Sequence, residues 1–313
     1  MRTFVIGHLN PDTDSIVSAI ALAGLLNSEG KEARAVKKGN LNKESQWALD
    51  HCQAKDSIEE LENVPDGQEV FFVDFNEFDQ CPLNPEKVKL IGLLDHHKLG
   101  SGWKTEEPIL FRVEPVGATS TLMAKIYREK NIPLPENLAK LLLCGIISDT
   151  LNLTSPTTTE EDKHWAKKLS EQTNENVEEL ANNLFEAKSD LSSFTPEEVA
   201  KLDYKVFNFI GKKIGIGVIE TVRSDNAKEL EGELKKVMGK IKSEEGLDYV
   251  YLGIVDILNN QTELLIGDEE TKLLARKAFS EATESGDNLI LPNIVSRKKQ
   301  IAPAIERVLK MQN

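Results

Sequence analysis

The chain has 313 residues, is 40% hydrophobic and 29% charged, and carries a formal net charge of −14 at pH 7, which describes an ordinary globular protein of about two domains. No apolar run approaches the roughly 20 residues that a membrane-spanning helix needs, and with the first strand beginning almost at once no signal peptide is expected. Three widely spaced cysteines, Cys52, Cys81 and Cys144, make neither a disulfide framework nor a zinc knuckle, so a reducing cytoplasm is the expected location. The acidic balance disfavours nonspecific nucleic-acid binding and requires any anionic substrate to be met by a local cluster of cations.

Phe4-Val5-Ile6 predicts a first strand and residues 16–26 a helix, with the turn Gly7–Ser15 between them carrying His8, Asp12 and Asp14. Asp12 and Asp14 suit a helix cap and first turn, but capping gives no reason for His8. Residues 32–37 predict a strand, and 43–52 a helix with His51 on its surface. Residues 68–74 and 88–94 predict strands whose continuous apolar runs fit a parallel sheet buried on both faces. The first ends in Asp74 and the second runs into Asp95-His96-His97. A further strand is expected at 109–113, and helices at 117–130 and 137–147, the latter running into Ser148-Asp149-Thr150. A helix over 158–169 carries a Thr158/Glu161 capping box and a surface His164, and another helix covers 177–188. Residues 189–195 read as a linker. Thr195-Pro196 with Glu198 then starts a new helix. Strands follow at 205–209 and 213–222, a long charged helix at 227–244, strands at 249–258 and 263–266, a helix at 269–281 and a strand at 288–291. Ser296-Arg297-Lys298-Lys299-Gln300 opens the terminal helix. The expected class is α/β: an open parallel-sheet domain over 1–188, a linker over 189–195 and a smaller α/β domain over 196–313, with the active site between the two domains.

His8, Asp12, Asp14, Asp74, His96, His97 and Asp149 all end or follow apolar elements, where α/β folds place ligands at the carboxyl edge of a sheet. Two histidines with four or five carboxylates exceed the needs of one cation and fit two, with one carboxylate shared. Ligation by carboxylates without cysteine favours Mn, Mg or Co over zinc. Such a pair suits metal-assisted hydrolysis of a phosphate ester or anhydride. Arg297, Lys298 and Lys299 at a helix start form a candidate anion clamp, with Lys205 a weaker member.

His8-x-x-x-Asp12-x-Asp14, Asp74 and Asp95-His96-His97 resemble the motifs of the DHH phosphoesterase superfamily. Ser296–Gln300, Asp149-Thr150 and Ser155-Pro156-Thr157 are similar to those of one branch, the manganese-dependent family II inorganic pyrophosphatases with a DHHA2-type C-terminal domain. The resemblance spans nearly the whole chain, and the combination is specific where the Asp-His-His triplet alone is not. It implies hydrolysis of pyrophosphate to two orthophosphates by water activated between two Mn ions, with Co or Mg as alternatives and further Mg arriving with the substrate. His8 and Asp12 would hold one ion, Asp14, His96 and Asp149 the other, and Asp74 both. His97, Lys205, Arg297 and Lys298 would bind the pyrophosphate and, with Asp74, carry catalysis. Asp95 would orient a neighbouring histidine. A homodimer through the N-terminal domain, and two domains that close over the substrate, are implied as well.

One position departs from the family's pattern, in which His-Asn-Glu usually follows the shared Asp. Here the run is Phe75-Asn76-Glu77, so an apolar side chain stands where a hydrogen-bonding one is usual, and altered metal preference and affinity are expected. Two other readings compete. A phosphodiesterase of the same superfamily, acting on short oligonucleotides or cyclic dinucleotides, would carry a glycine-rich, His-containing motif late in the chain. A phosphate sensor without catalysis would have broken metal ligands. Neither feature is found.

Overall fold

The computed structural model describes residues 2–100, 102, 104–222 and 224–312. The chain divides into two compact units, Met1–Ala187 and Lys188–Asn313. In the first, β1 (Thr3–Ile6), β2 (Ala33–Lys37), β3 (Glu59–Glu60), β4 (Gln68–Val73), β5 (Val88–Asp95) and β6 (Leu110–Val113) form an all-parallel sheet ordered β3-β2-β1-β4-β5-β6. The chain winds outward from β1 to β3 and then returns to the other side of β1, so the order reverses between β1 and β4. That switch point, beyond the carboxyl ends of the strands, is where open α/β sheets bind ligands. Because β1, β4 and β5 are neighbours about 4.8 Å apart, the residues that follow them are delivered side by side.

The continuous apolar runs have the cause expected of them, with Val5, Val70, Phe72 and Leu93 all buried. Helix α1 (Thr13–Ser28) is buried without a break from Thr13 to Ala23. It packs on β1, β2 and helices α3 (Thr119–Glu129) and α4 (Glu136–Asp149), and a helix covered all round needs no polar face. Helices α2 (Lys43–His51), α5 (Glu160–Thr173) and α6 (Val177–Lys188) complete the unit.

In the second unit, β7 (Tyr204–Phe209), β8 (Lys212–Thr221), β9 (Tyr249–Asp256), β10 (Gln261–Ile266), β11 (Thr283–Ser285) and β12 (Asn288–Pro292) form a mixed sheet ordered β11-β12-β10-β9-β8-β7, in which β8 and β9 alone run parallel. β9 is buried on both faces. Tyr249, Tyr251 and Val255 join one apolar cluster, and Val250, Leu252 and Ile254 join another, as the two-residue period of a strand requires. Helices α7 (Pro196–Lys201), α8 (Ser224–Glu229), α9 (Glu231–Glu244), α10 (Glu269–Ala278) and α11 (Ala302–Gln312) belong to this unit. Within the stretch read as a linker, Ser189 is buried and accepts a 2.8 Å hydrogen bond from Thr221 Oγ1, and Leu191 packs on the second cluster.

Three local expectations are corrected. The capping box of α5 lies one residue later, at Thr159 and Asp162, because Asp162 is also needed by a turn far away in sequence. The helix expected over 227–244 breaks into α8 and α9 at Leu230, whose side chain turns into the apolar cluster with Ala227 and Leu234. The short strands β3 and β11 have no apolar alternation to reveal them. The Thr195/Glu198 capping box of α7 is present, with Pro196 in the first turn.

Candidate metal centre

Asp12 caps α1, its Oδ1 accepting from Ser15 N at 3.0 Å. Its other oxygen lies 3.4 Å from His8 Nε2, so capping leaves one oxygen of the carboxylate turned toward the histidine. His8 Nδ1 meets the Leu9 carbonyl at 3.0 Å. A carbonyl only accepts, so Nδ1 holds a proton, and Nε2 is the nitrogen turned toward Asp12 and, at 3.7 Å, Asp74 Oδ2. His96 repeats the device. Its Nδ1 meets Val116 O at 3.0 Å, and its Nε2 lies 3.4 Å from Asp74 Oδ1 and 3.3 Å from Asp149 Oδ2.

Asp74 stands between the two groups, with a side chain 1% exposed. Its backbone has φ +67°, a left-handed conformation that is costly for a non-glycine residue and that persists only where its surroundings enforce it. Phe75 supplies one such anchor. It is wholly buried among Ile6, Val36, Leu61, Phe72 and Leu83, with its ring 4.8 Å from that of Phe72. The position that departs from the family's pattern is thus a core position. Replacing Phe75 by His is expected to destabilise the unit by about 2–4 kcal/mol, through lost packing and a buried imidazole. Chemical denaturation measures this, and a loss below about 1 kcal/mol would show that the site accommodates a polar ring.

Asp14 is buried and reaches α3 rather than its own helix. Its Oδ2 accepts from Thr119 N at 2.6 Å and its Oδ1 from Ser120 N at 2.8 Å, while Thr119 Oγ1 donates to Asp74 Oδ1 at 2.9 Å. The close approach of α4 depends on Gly145, where a Cβ would come within 2.1 Å of Ser120 Oγ and 3.0 Å of Asp14 Oδ1. Asp149 is the last residue of α4, where the helix dipole opposes an acid. Leu151, Asn152 and Leu153 then follow with φ between +48° and +63°, a run of left-handed residues that turns the chain sharply away.

The candidate ligand atoms fall into interlocking groups: His8, Asp12 and Asp74; Asp14, Asp74, His96 and Asp149; and Asp74, His96 and His97. Within each group the atoms lie within 4.8 Å of one another. Without cations the cluster is crowded with like charge. Burial, then the charges of Asp14 and Asp12, push the Asp74 carboxyl well above the usual carboxylate range. Burial and Asp14 push Asp149 up to about 7. His96 is pushed up to about 12, burial being outweighed by hydrogen bonds to Asp149 and Asp74 and by their charge. His8 is raised as well, its burial outweighed by Asp12. Asp74 Oδ2 is buried with no hydrogen-bond partner among the described residues. Divalent cations fit this set: they would give the orphaned oxygen a partner and offset the repulsion.

Asp95 lies behind the cluster. Its Oδ1 accepts from His97 Nδ1 at 2.9 Å and from the backbone N–H groups of His96 and His97, and Asn76 Nδ2 donates to Oδ2. It therefore orients the ring of His97, whereas a backbone carbonyl orients His96. Burial opposes its charge, but its bonds to His97 and Asn76 hold it below the usual range. The His97 side chain is half exposed. His51 stacks on Trp47 and pairs with Glu175, and His164 is exposed on α5.

In the second unit, Ser296 caps the turn Arg297–Ile301 that leads into α11, its side chain accepting from Lys299 N. Arg297 Nη2 lies 2.7 Å from Asp203 Oδ1, Nη1 donates to Asp203 O, and Nε is buried with no hydrogen-bond partner among the described residues. Lys298 is exposed beside it, and Lys205 is exposed on β7.

Residues 2–146 match the DHH family, N-terminal domain, and residues 182–308 match the DHHA2 domain. The chain is 39% identical over 307 residues to a manganese-dependent inorganic pyrophosphatase of Bacillus subtilis, with 97% of each chain covered. It is 38% identical over 314 residues to that of Methanocaldococcus jannaschii, covering 97% of this chain and 98% of the relative. A crystal structure of a Methanococcus jannaschii protein assigned to the family II inorganic pyrophosphatases superposes with a TM-score of 0.67 at 36% identity, covering 98% of this chain and 99% of that one. With the DHH and DHHA2 domains in order and identity of this level along almost its whole length, the chain belongs to the manganese-dependent, family II inorganic pyrophosphatases.

Proposed function

We infer that the protein hydrolyses inorganic pyrophosphate to two orthophosphates. The observation that carries this reading is the pair of ligand groups sharing Asp74, in a chain 39% identical end to end to a manganese-dependent pyrophosphatase. One Mn ion would be held by His8 and Asp12 and a second by Asp14, His96 and Asp149, with Asp74 serving both. Co or Mg are alternatives, and further Mg would accompany the substrate. Two cations held there would acidify a water and neutralise phosphoryl oxygens.

The chain's own groups do the rest. Leu9 O and Val116 O fix the tautomers of His8 and His96, so each presents Nε2. Asp95 holds His97 by Nδ1, leaving Nε2 for a phosphoryl oxygen. Lys205, Arg297 and Lys298 supply cationic donors for the remaining phosphate charge in an otherwise acidic chain, and Asp203 holds the Arg297 fork in one orientation. A homodimer through the first unit is supported by the open edge of β6, where Leu110 and Phe111 are exposed. Three unpaired cysteines support a reducing, cytoplasmic setting.

The test is phosphate release after metal stripping and Mn addition, from pyrophosphate, a linear dinucleotide and a longer polyphosphate in parallel. Pyrophosphate should be cleaved fastest. Faster cleavage of the dinucleotide would replace this reading with a phosphodiesterase.

A further inference from the structure

One five-residue segment touches three of the ligands. Val116 O takes the proton of His96 Nδ1, Thr119 N and Ser120 N hold the two oxygens of Asp14, and Thr119 Oγ1 donates to Asp74. The segment leads into α3, whose cap residue, Ala118, offers no side-chain hydrogen bond. The first N–H groups of that helix, left without intrahelical partners, are turned to holding a ligand instead.

The segment is itself held by a buried carboxylate from elsewhere. Asp162, wholly buried at the start of α5, accepts from Gly117 N at 2.8 Å through Oδ2 and from Thr121 Oγ1 at 2.6 Å through Oδ1. Thr159 N and Oγ1 donate to the same Oδ2 at 2.7 and 2.6 Å. The turn is packed close, since a Cβ on Gly117 would lie 2.9 Å from Asp162 Oδ2 and 2.7 Å from the Thr150 methyl.

We propose that Asp162 is a positioning residue of the metal centre: by fixing Gly117 and Thr121 it sets the 116–120 segment, and through it the placement of Asp14, Asp74 and His96. The inference rests on the metal-centre reading above. Its physical basis is the dependence of ligand geometry on the groups behind the ligands, whose loss costs about 10–100-fold in metal affinity. The group Asp14, His96 and Asp149 depends on the segment through two members, and Asp74 through the Thr119 hydroxyl.

The experiment is calorimetric titration of the metal-stripped full chain with Mn2+, alongside thermal melts in chelator. Asp162→Asn should weaken Mn2+ uptake about 10–100-fold, mainly in the binding step of the Asp14, His96 and Asp149 group. Thr121→Val, a milder change, should weaken it in the same direction, and Thr121→Ser should restore it. Thr159→Ala loses the α5 cap hydroxyl and its bond to Asp162 Oδ2 but keeps the Thr159 N, Gly117 and Thr121 bonds, so it should lower the melting temperature and leave Mn2+ affinity within about twofold. Parental affinity in both Asp162→Asn and Thr121→Val overturns the proposal. So does an equal loss in Thr159→Ala, which would mark a general effect of stability. If Asp162→Asn does not fold, the Thr121 and Thr159 variants decide between these outcomes. A parent chain that takes up no pair of Mn2+ ions sinks the metal-centre reading itself.

Discussion

Asp74→Asn is expected to abolish pyrophosphate turnover and, at the same time, to raise the melting temperature of the metal-free protein. The first effect follows from the place of Asp74 in all of the ligand groups. Removing a group that merely supports a ligand costs about 10–100-fold, and losing the carboxylate common to all of the candidate ligand groups should cost well beyond that. The second effect follows from the carboxyl's surroundings. Burial and the charges of Asp14 and Asp12 raise its proton affinity far above that of an exposed aspartate, so its ionised form opposes folding at neutral pH. Asn removes that charge and can still accept from Thr119 Oγ1. It also tolerates φ +67° better than most residues, so the backbone is retained. Steady-state kinetics, Mn2+ titration and melts in chelator measure the effects. Retained turnover would remove Asp74 from its shared role, and an unchanged or lower metal-free melting temperature would show that charge crowding is not what the site costs the fold.

The candidate ligands and their supports differ in how far the sequence reveals them. His8, Asp74 and His96 can be read from the chain because each follows an apolar strand run, and a buried parallel strand must deliver its next residues to the carboxyl edge. Asp149 is visible for a related reason, as an acid at the wrong end of an apolar helix. The groups that hold them are not visible in this way. The bonds of Asp14 to Thr119 and Ser120 span more than a hundred residues, and no local pattern records such a pairing. One signal was available: Gly117-Ala118 opens α3 without a capping side chain, so its N–H groups had to find a partner elsewhere. The shift of the capping box from Thr158 to Thr159 has the same origin. Local preference allowed either, and the need of the 117–121 turn for Asp162 selected one. The place of Phe75 is not legible in this way: spacing along the chain says that it adjoins Asp74, but not that its side chain is wholly buried in the core.

The metal-free protein should lose stability as pH rises from about 4 to 8, and Mn2+ should reverse that trend. Asp149 has a folded pKa raised from 3.8 to about 7. Its contribution is therefore complete below about 3.8 and is lost as pH climbs through about 7, because the native state keeps a proton that the unfolded chain has released. Asp74 is raised well above 3.8 and acts in the same direction. His96, raised from 6.5 to about 12, begins to act above 6.5, and its contribution likewise falls with rising pH. Asp95 has the opposite sign, but its depressed pKa confines its effect to pH below 3.8. Each proton retained by the native state gives a slope of about 1.4 kcal/mol per pH unit. Cations require the same ligands deprotonated, so Mn2+ uptake releases protons and its stabilisation grows with pH. Melting temperatures across pH 5–8, in chelator and in excess Mn2+, should therefore diverge, falling in the first series and rising relative to it in the second. Parallel curves would mean that the carboxylates and His96 do not retain these protons in the folded chain. The crowding of like charge around Asp74 would then be no argument that the site is built for cations.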